Sequence, residues 1–339
     1  MRRLGFVASG MVMLFAAIMS VPQATAQADL VAAAEREGTV VWYNVLPSEA
    51  ADALAKGFEA SYPKIKAQWV RSGTFALVQR YTAEVQAGRV QADVLQHNEV
   101  GIFNEWARGG LLMKYDSPEA KNYPADQRFQ EYWTALRAIS SVIAYNTRSA
   151  TTPSSWIDLL DPKYKGRINM ADPRVAGDAI ALYWALRKQL GVQYWQRMAQ
   201  QNVIFLDGVV AMAEQLSSGE KLIGVNVDYR IVQFRDELGA PLGMVYPKEG
   251  TIVIGSPVAI ASKAPHPNAA KLFYNWLLSS AGQQVVVKQM KQISVRRGMA
   301  SPKGILPLVN VKAFRLDWDE IGRQREALQK EFVDLFGLR

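Results

Sequence analysis

Small polar residues recur in this chain at points where a strand-like segment gives way to a helical one. Parallel sheets with flanking helices bring such turns together beyond the carboxyl ends of their strands. The N–H groups that begin each helix favour anions, and short polar side chains suit hydrogen bonding to a small solute. We therefore predict a solute-binding cleft built from two sets of turns. The predicted ligand-binding residues are Tyr43, Asn44, Ser72, Gly73, Thr74, His97 and Asn98 in the first set, and Ala176, Gly177, Asp178, Asp228, Tyr229 and Arg230 in the second.

Arg137 and Thr251 stand beside the two segments expected to join the halves of the molecule, and we add both to the predicted site. Several site residues also have a simpler structural interpretation. The hydroxyls of Ser72 and Thr74 suit helix capping as well as they suit ligand contact. The other structural alternatives are a tight turn at Gly177, a buried structural role for His97, core filling by Tyr43 and an exposed helical position for Arg230.

The elements that must position these residues alternate between strand and helix, which is typical of an α/β fold with mainly parallel sheets. No Pro-, Gly- or Ser-rich linker separates two lobes, so the chain is expected to cross between them in ordered strands at 139–146 and 251–260. The predicted strands are 39–45, 65–70, 92–95, 139–145, 167–170, 203–206, 222–227 and 252–260. The predicted helices include 177–190, 209–216, 228–238, 267–278, 282–288 and an amphipathic helix from Ile321 to Leu335.

Composition narrows the chemistry that this cleft could perform. The 339 residues exceed what one hydrophobic core usually fills, so two lobes are expected. The absence of Cys excludes disulfides, thiolate metal sites and cysteine nucleophiles, and the two His are too few for most His-based metal sites. A net charge of +8 is compatible with nucleic acid, an anionic surface or an anionic small ligand.

The first residues have the layout of a cleavable signal peptide. A basic start, Met1-Arg2-Arg3, precedes an apolar run from Leu4 to Val21, and Ala24-Thr25-Ala26 forms a small-x-small cleavage pattern. Cleavage after Ala28 and an uncleaved membrane anchor are the alternatives. Removal of residues 1–26, which include two Arg, would leave 313 residues with a side-chain charge of +6. We therefore predict an exported, soluble protein in the periplasm.

Three stretches carry a resemblance to a known family. The first is 153–167, PSSWIDLLDPKYKGR, and the second is 264–283, which begins APHPNAAKLF. The third is Asp317-Trp318 followed by an amphipathic helix. Together they resemble the periplasmic solute-binding proteins of bacterial ABC importers, in the branch that includes ferric-iron, thiamine, aminoethylphosphonate and sugar-phosphate binders.

The resemblance implies a type II periplasmic-binding-protein fold. This fold has two lobes, each a mixed, mainly parallel sheet flanked by helices, and two crossover strands join them around a ligand cleft. We expect a signal peptide at 1–26, lobe 1 at 27–140 plus 256–339, and lobe 2 at 141–255.

The sequence departs from the ferric-binding pattern. Ferric relatives use two adjacent Tyr at the start of the helix after the strand that ends near Val227; here Tyr229 aligns with one and Arg230 replaces the other. Many relatives carry a histidine after the first strand, and the matching position in this sequence lies near Leu46. An Arg at a ligand position repels a hard trivalent cation, whereas Arg230 and Gly177 at helix starts suit a phosphate, phosphonate or carboxylate. We therefore predict no metal and no cofactor, with Tyr229 as the alternative metal ligand.

The predicted function is capture of a small, anionic organic solute and its delivery to an inner-membrane ABC permease, by a protein expected to be a monomer. A ferric or metal-chelate binder is the alternative within this class. An enzyme is disfavoured because no G-x-S-x-G, H-E-x-x-H or P-loop pattern is present. A nucleic-acid partner is disfavoured because Lys and Arg are scattered.

Overall fold

The computed structural model describes residues 21–148 and 151–338, an α/β structure with helices on both sides of its strands. The predicted signal peptide lies mostly outside the described residues. The strands are β1 Thr39–Asn44, β2 Lys66–Arg71, β3 Val94–Gln96, β4 Arg128–Phe129, β5 Trp133–Asn146, β6 Ile168–Ala171, β7 Ile204–Leu206, β8 Ile223–Val227, β9 Leu242–Val245 and β10 Val253–Ile260. The helices are α1 Val21–Glu37, α2 Ser48–Ser61, α3 Thr74–Gln86, α4 Val100–Arg108, α5 Gly177–Leu190, α6 Val192–Ala199, α7 Val209–Ser218, α8 Asp228–Leu238, α9 Pro267–Leu278, α10 Ser280–Lys288 and α11 Trp318–Phe336.

The first sheet has the strand order β2-β1-β3-β10-β5, with β4 paired to β5. Strand β1 is rich in β-branched and aromatic residues, which suit a buried strand, and it pairs in parallel with β2 and β3. Strand β10 runs antiparallel to β3 and β5. The parallel strands therefore end at one edge, where the turns into α2, α3 and α4 begin.

Strand β5 passes from the first sheet into the second. It pairs with β10 as far as Ser140, and from Ser141 onward it pairs with β8 and β9. In the second sheet β6 lies between β8 and β7, and all three are parallel. The predicted fold class, a mixed α/β structure with two sheets flanked by helices, is confirmed. The sheets are not mainly parallel, because four of the strand pairs described are parallel and five are antiparallel. At the second predicted crossing, β10 is paired with β3 and β5 of the first sheet.

Buried aromatic rings hold the helices against the first sheet. Trp42 of β1 meets Phe273 of α9 edge-on, with ring centroids 5.5 Å apart, and Phe58 of α2 contacts Phe273 at 4.9 Å. The buried carboxylate of Asp93 accepts hydrogen bonds from the Val41 N–H at 2.7 Å and the His266 N–H at 2.7 Å. These contacts hold the middle of β1, two to three residues before the turn that follows the strand.

Helix α11 contacts both halves of the molecule. Its Asp319 forms an ion pair with Arg108 of α4 at 2.8 Å, while its Glu331 pairs with Arg187 of α5 at 2.8 Å. The placement of residues 256–339 in lobe 1 stays a prediction, as do the other lobe boundaries. Among the described residues, no helix combines the length and apolar character needed to cross a membrane.

Candidate functional site

A cavity of about 80 Å³, here called the cleft, lies between the two sheets at the ends of their parallel strands. Arg71 ends β2 and Asn98 follows β3 on one side. On the other side Ala171 ends β6, Asp207 follows β7 and Val227 ends β8. This is the place at which open α/β sheets bind ligands.

Five helices begin at the wall of the cleft. The residues immediately before α2, α3, α5, α7 and α8 are Pro47, Gly73, Ala176, Gly208 and Val227, and all five line the cavity. None of these five residues forms a side-chain capping hydrogen bond. The positive ends of five helix dipoles therefore converge on one space, an arrangement that favours an anion.

Arg137, in the middle of β5, adds a full positive charge to this wall. The residue is only 2% exposed. Its Nη2 donates to Asn98 Oδ1 at 3.4 Å, whereas its Nε and Nη1 are buried and have no hydrogen-bond partner among the described residues. Burial lowers the pKa of Arg137 below its usual range. A buried cation short of partners is costly, and an anionic ligand would supply the missing acceptors.

Polar neighbours hold Arg137 in place and add ligand-facing groups. Asn98 Oδ1 also accepts a hydrogen bond from Ser256 Oγ at 2.8 Å. Asp178, in the first turn of α5, lines the cleft, and burial raises the pKa of its carboxyl, while the Asn98 side chain and Arg137 oppose that rise. Asp178 and Asp207 thus offer acceptor groups beside the cationic wall of the cleft, which suits a ligand that carries a hydroxyl or amine as well as an anion.

Three contacts join the two sides of the cleft. The Gly177 N–H donates to Thr74 Oγ1 at 3.4 Å, and Arg230 Nη2 forms an ion pair with Glu49 Oε1 at 2.8 Å. Gly177 also lies so close to Glu99 that a Cβ at this position would be 2.8 Å from the Glu99 Cβ. The two sides are therefore closed on each other.

The structure brings eight of the predicted site residues to the cleft wall. The predicted residues that line it are Ser72, Gly73, Thr74, Asn98, Arg137, Ala176, Asp178 and Tyr229. They come from both sets of turns and from β5, so the two halves contribute jointly to one cavity. Their contact with a ligand stays a prediction.

Three predicted residues of the first half lie away from the cleft wall. The Tyr43 hydroxyl donates to Glu84 at 2.7 Å, and the Arg80 guanidinium lies 4.5 Å from the Tyr43 ring centre. Asn44 Oδ1 accepts from the Leu46 N–H at 3.0 Å, which braces the turn after β1. His97 is fully buried, with its ring centre 4.3 Å from that of Phe103; burial lowers its pKa to about 3.

The other predicted residues outside the wall belong to the second half and the second crossing. Gly177 packs on Glu99, and Arg230 is turned toward Glu49, as described above. Asp228 is buried, and it accepts hydrogen bonds from the Tyr229 N–H at 2.8 Å and the Tyr246 hydroxyl at 3.1 Å. Thr251 Oγ1 donates to the Ser141 carbonyl at 2.7 Å, next to the point where β5 changes sheets.

Sequence reasoning missed several residues of the wall. Pro47 immediately precedes α2. The pair Asp207-Gly208 stands between a predicted strand and a predicted helix, so the same strand-to-helix signal could have found it. Arg71 ends β2, and its Nε donates to the Leu46 carbonyl at 2.9 Å. No sequence signal distinguishes Arg71 from an ordinary exposed basic residue.

Two arginine side chains lie beside Tyr229, the alternative metal ligand. The guanidiniums of Arg137 and Arg230 lie 5.8 Å and 5.5 Å from the centre of the Tyr229 ring. Across residues 21–148 and 151–338, no cluster of three or more His, Asp or Glu side chains is placed to hold a metal ion. Two cations beside one phenol disfavour a trivalent metal ion at this position.

Comparison with known proteins places this geometry in context. Residues 92–323 match the family model of bacterial extracellular solute-binding proteins. An uncharacterised protein of Haemophilus influenzae is 28% identical over 327 residues, covering 88% of this chain and 91% of that protein. A Salmonella typhimurium protein, provisionally named a 2-aminoethylphosphonate-binding periplasmic protein, is 22% identical over 272 residues. The match covers 76% of this chain and 79% of that protein.

Solved structures show the same fold. The periplasmic binding protein AfuA of Actinobacillus pleuropneumoniae, with fructose-6-phosphate bound, superposes with a TM-score of 0.81 at 26% identity, covering 89% of this chain and all of that one. Iron-bound HitA of Pseudomonas aeruginosa gives a TM-score of 0.76 at 22% identity, and the match covers 87% of this chain and 99% of HitA.

Proposed function

Since the chain belongs to the bacterial extracellular solute-binding proteins, the substrate-binding components of ABC transporters, we propose that it captures a small, anionic organic solute in the cleft and delivers it to an inner-membrane permease. The candidate ligand classes are phosphonates, sugar phosphates and carboxylates. The observation that carries this proposal is the buried, partly unpaired guanidinium of Arg137 among five helix N-termini without side-chain caps.

The charges at the cleft wall support an anion in particular. Each helix N-terminus stabilises a nearby negative charge by roughly 0.3–1 kcal/mol at an exposed site, and by more when partly buried. A hydrogen bond between Arg137 and an anionic oxygen adds about 1.5–3 kcal/mol. The oxygens of a phosphonate, phosphate or carboxylate can accept from Arg137 and from several first-turn N–H groups together.

The acidic groups of the wall support an organic ligand with hydrogen-bond donors. Asp178 and Asp207 face the same cavity as Arg137, so a bare anion would leave two carboxyl groups without a ligand partner. Of the similar proteins, AfuA was solved with fructose-6-phosphate, and the Salmonella protein is provisionally named for 2-aminoethylphosphonate. Both ligands combine a phosphorus oxyanion with a hydroxyl or amine donor.

Contacts across the cleft support a mechanism of ligand-dependent closure. The Thr74–Gly177 hydrogen bond and the Glu49–Arg230 ion pair can form only when the two sides meet. A ligand that touches both sides prefers the closed state and shifts the population toward it. The closed form then presents the ligand to the permease.

We propose that the protein is a carrier and not an enzyme. It acts as a monomer in the periplasm and has no nucleic-acid partner. The cleft wall offers two carboxyl groups and the guanidiniums of Arg71 and Arg137, and among its described residues no hydroxyl is seen hydrogen-bonded to a base. A carrier returns its ligand unchanged, so the solute recovered after incubation should have the mass of the solute added.

The experiment that tests the proposal is native mass spectrometry of the freshly purified protein, followed by thermal-shift screening of phosphonates, sugar phosphates, carboxylates and ferric salts. We expect at least one of the three organic classes to raise the unfolding temperature, and the Arg137→Met variant to lose that response. Stabilisation by ferric salts alone would contradict the proposal and favour the metal alternative.

A further inference from the structure

One basic segment of the sequence has no part in the cleft. Lys and Arg are scattered through most of the chain, but residues 288–316 contain seven of them and no Asp or Glu. Since the whole chain has a net charge of +8, this segment supplies much of the positive excess. The seven cations are Lys288, Lys291, Arg296, Arg297, Lys303, Lys312 and Arg315.

Few of these charges are neutralised in the folded protein. Arg296 forms an ion pair with Glu119 at 2.6 Å. The other six cations form no ion pair with any residue in 21–148 or 151–338. Unpaired cations so close in sequence repel one another, so their positive potential extends into the solvent and attracts an anionic partner.

A surface groove between α8 and α10 brings three of the lysines together. Arg235 and Asp236 also line the groove, but they pair with each other at 2.7 Å. Three lysines then stand against one remaining carboxylate, so the groove is positive. The charged residues that line it are Lys288, Lys291 and Lys303, together with Arg235, Asp236 and Glu237.

An apolar turn follows the groove along the chain. Its centre is a 3-10 turn, Leu308–Asn310. Ile305 and Val311 on either side are buried, whereas Leu306 is 40% exposed and Val309 is 92% exposed. The buried pair anchors the turn, and the turn holds two aliphatic side chains in solvent, where a partner can cover them.

The turn has cations on both sides. On one side Gly304 lines the groove, where a Cβ would lie 2.7 Å from Arg235 Nη2. On the other side Lys312 Nζ donates to the Lys248 carbonyl at 3.1 Å, which brings a further exposed lysine to the turn. We call the three groove lysines, the turn 304–311, Lys248 and Lys312 the basic face.

The chemistry of the basic face matches an anionic lipid surface better than a protein partner. Lysine is depleted in protein–protein interfaces, and their centres are enriched in aromatic side chains. The basic face instead consists chiefly of lysines and aliphatic groups. An anionic bilayer attracts lysines without pairing each one, and it accepts aliphatic side chains at the level of its head groups.

We propose that the basic face binds reversibly to an anionic membrane surface, with Leu306 and Val309 entering the head-group region and the lysines lying at the lipid phosphates. A carrier that delivers its solute to a membrane permease gains from this contact, because it then searches a surface and not a volume. No residue of the basic face lines the cleft, so the contact leaves the cleft free.

The test is co-sedimentation of the mature protein, residues 27–339, with lipid vesicles in the absence of any solute. The vesicles are phosphatidylcholine alone or with about one-third phosphatidylglycerol. We expect binding to the anionic vesicles, and at least roughly tenfold weaker binding to neutral vesicles or at high salt. No binding to the anionic vesicles, or equal binding to both kinds, would overturn the inference. Since no solute is present, the proposed function would then still stand, and its failure in the ligand screen would leave this result unchanged.

A pair of double variants tests whether the basic face is the contact. Lys303→Gln with Lys312→Gln should weaken binding to anionic vesicles at least roughly tenfold, because each lysine near such a surface contributes roughly fivefold. The matched control is Lys165→Gln with Lys263→Gln, which removes the same charge from exposed positions outside the basic face. An equal loss in the control would show that net charge alone acts, and would contradict the inference.

The apolar turn has its own test, because the chain contains no Cys. Val309→Cys provides a single site for an environment-sensitive fluorophore, whose emission should shift to the blue on anionic vesicles. Ile204→Cys, at a position that is 38% exposed on β7, is the control and should show no shift. Sedimentation with the vesicles without a shift at position 309 would contradict insertion of the turn. Binding only to protein-containing membrane vesicles, lost after protease treatment of those vesicles, would assign the basic face to a protein partner and overturn the proposal.

Discussion

Arg137 is the residue on which most of the account depends, because its charge is buried and only partly satisfied. One of its nitrogens donates to Asn98, while Nε and Nη1 find no partner among the described residues. On the proposed function, we expect this residue to destabilise the ligand-free protein and to strengthen ligand binding. A purely structural arginine would instead have all its donors paired within the protein.

This difference gives a prediction about stability. Replacement of Arg137 by Met removes a buried, poorly paired charge while keeping an apolar stem, so the free energy of unfolding without ligand should rise by about 1–3 kcal/mol. Urea denaturation measures the change. The control is Arg71→Met, since Arg71 lines the same cleft and donates to the Leu46 carbonyl; it should not gain stability. Loss of stability in Arg137→Met would indicate a structural role.

Asp228 predicts a pH dependence of stability. Burial raises the pKa of its carboxyl from 3.8 to about 6, so the folded protein binds this proton more tightly than the unfolded chain does. The contribution of this carboxyl to the free energy of unfolding of the wild type therefore falls as the pH rises from about 4 to 6. Above that range the contribution is constant.

In the Asp228→Asn variant the side chain at position 228 is uncharged at every pH. Its free energy of unfolding relative to wild type should increase across this range, by at most about 3 kcal/mol. A difference that stays constant between pH 4 and 7 would contradict the pKa shift.

Among the secondary-structure elements, the N-termini of several helices form the candidate site, and no single sequence motif does so. Strand–turn–helix alternation in the sequence was sufficient to predict α5, α8 and α9 with the observed bounds. It also predicted the turns that meet at the cleft, because parallel strands end at the same edge of a sheet.

The sequence could not predict which side chains of those turns face the cavity. Tyr43 and Arg230 are turned toward Glu84 and Glu49 instead. Side chains alternate between the two faces of a strand, so the direction of Tyr43 depends on pairing register, and the partner of Arg230 depends on how two distant helices meet. Arg230 as an anion ligand stays a prediction, while its contact with Glu49 suggests a role in closure.

The helix pair α2 and α8 provides a test of that role. Glu49→Gln removes one charge of the ion pair across the cleft, and ligand affinity should fall by roughly two- to fivefold, with a faster off-rate, because the closed state loses up to about 1 kcal/mol. Stopped-flow fluorescence with the ligand measures the rates. Asp52→Asn, on the same helix and paired with Lys56 and Trp69 of its own half, is the matched control; an equal effect there would show that closure does not depend on the Glu49–Arg230 pair.

For the molecule as a whole, closure requires close approach of the two sides at Gly177. A Cβ there would lie 2.8 Å from the Glu99 Cβ and 3.0 Å from the Glu99 N, so Gly177→Ala should keep the protein open. Small-angle scattering should then show ligand-induced compaction in the wild type and little in the variant, with at least tenfold weaker binding. Compaction of Gly177→Ala equal to that of the wild type would contradict this account of closure.

The two-sheet architecture was predictable from the alternation of elements and from the resemblance carried by 153–167 and 264–283. The position of α11 was not, because an amphipathic stripe shows that a helix packs but not on what. Its ion pairs with Arg108 and Arg187 tie it to both halves, a long-range arrangement that only the folded chain defines.

The central claim, that the cleft holds a small organic anion through Arg137, is tested most directly by calorimetric titration of wild type and Arg137→Met with the solute that the screen identifies. We predict that Arg137→Met binds at least roughly 30-fold more weakly, a loss of about 2 kcal/mol, while remaining folded. Equal affinity of the two proteins would contradict the claim.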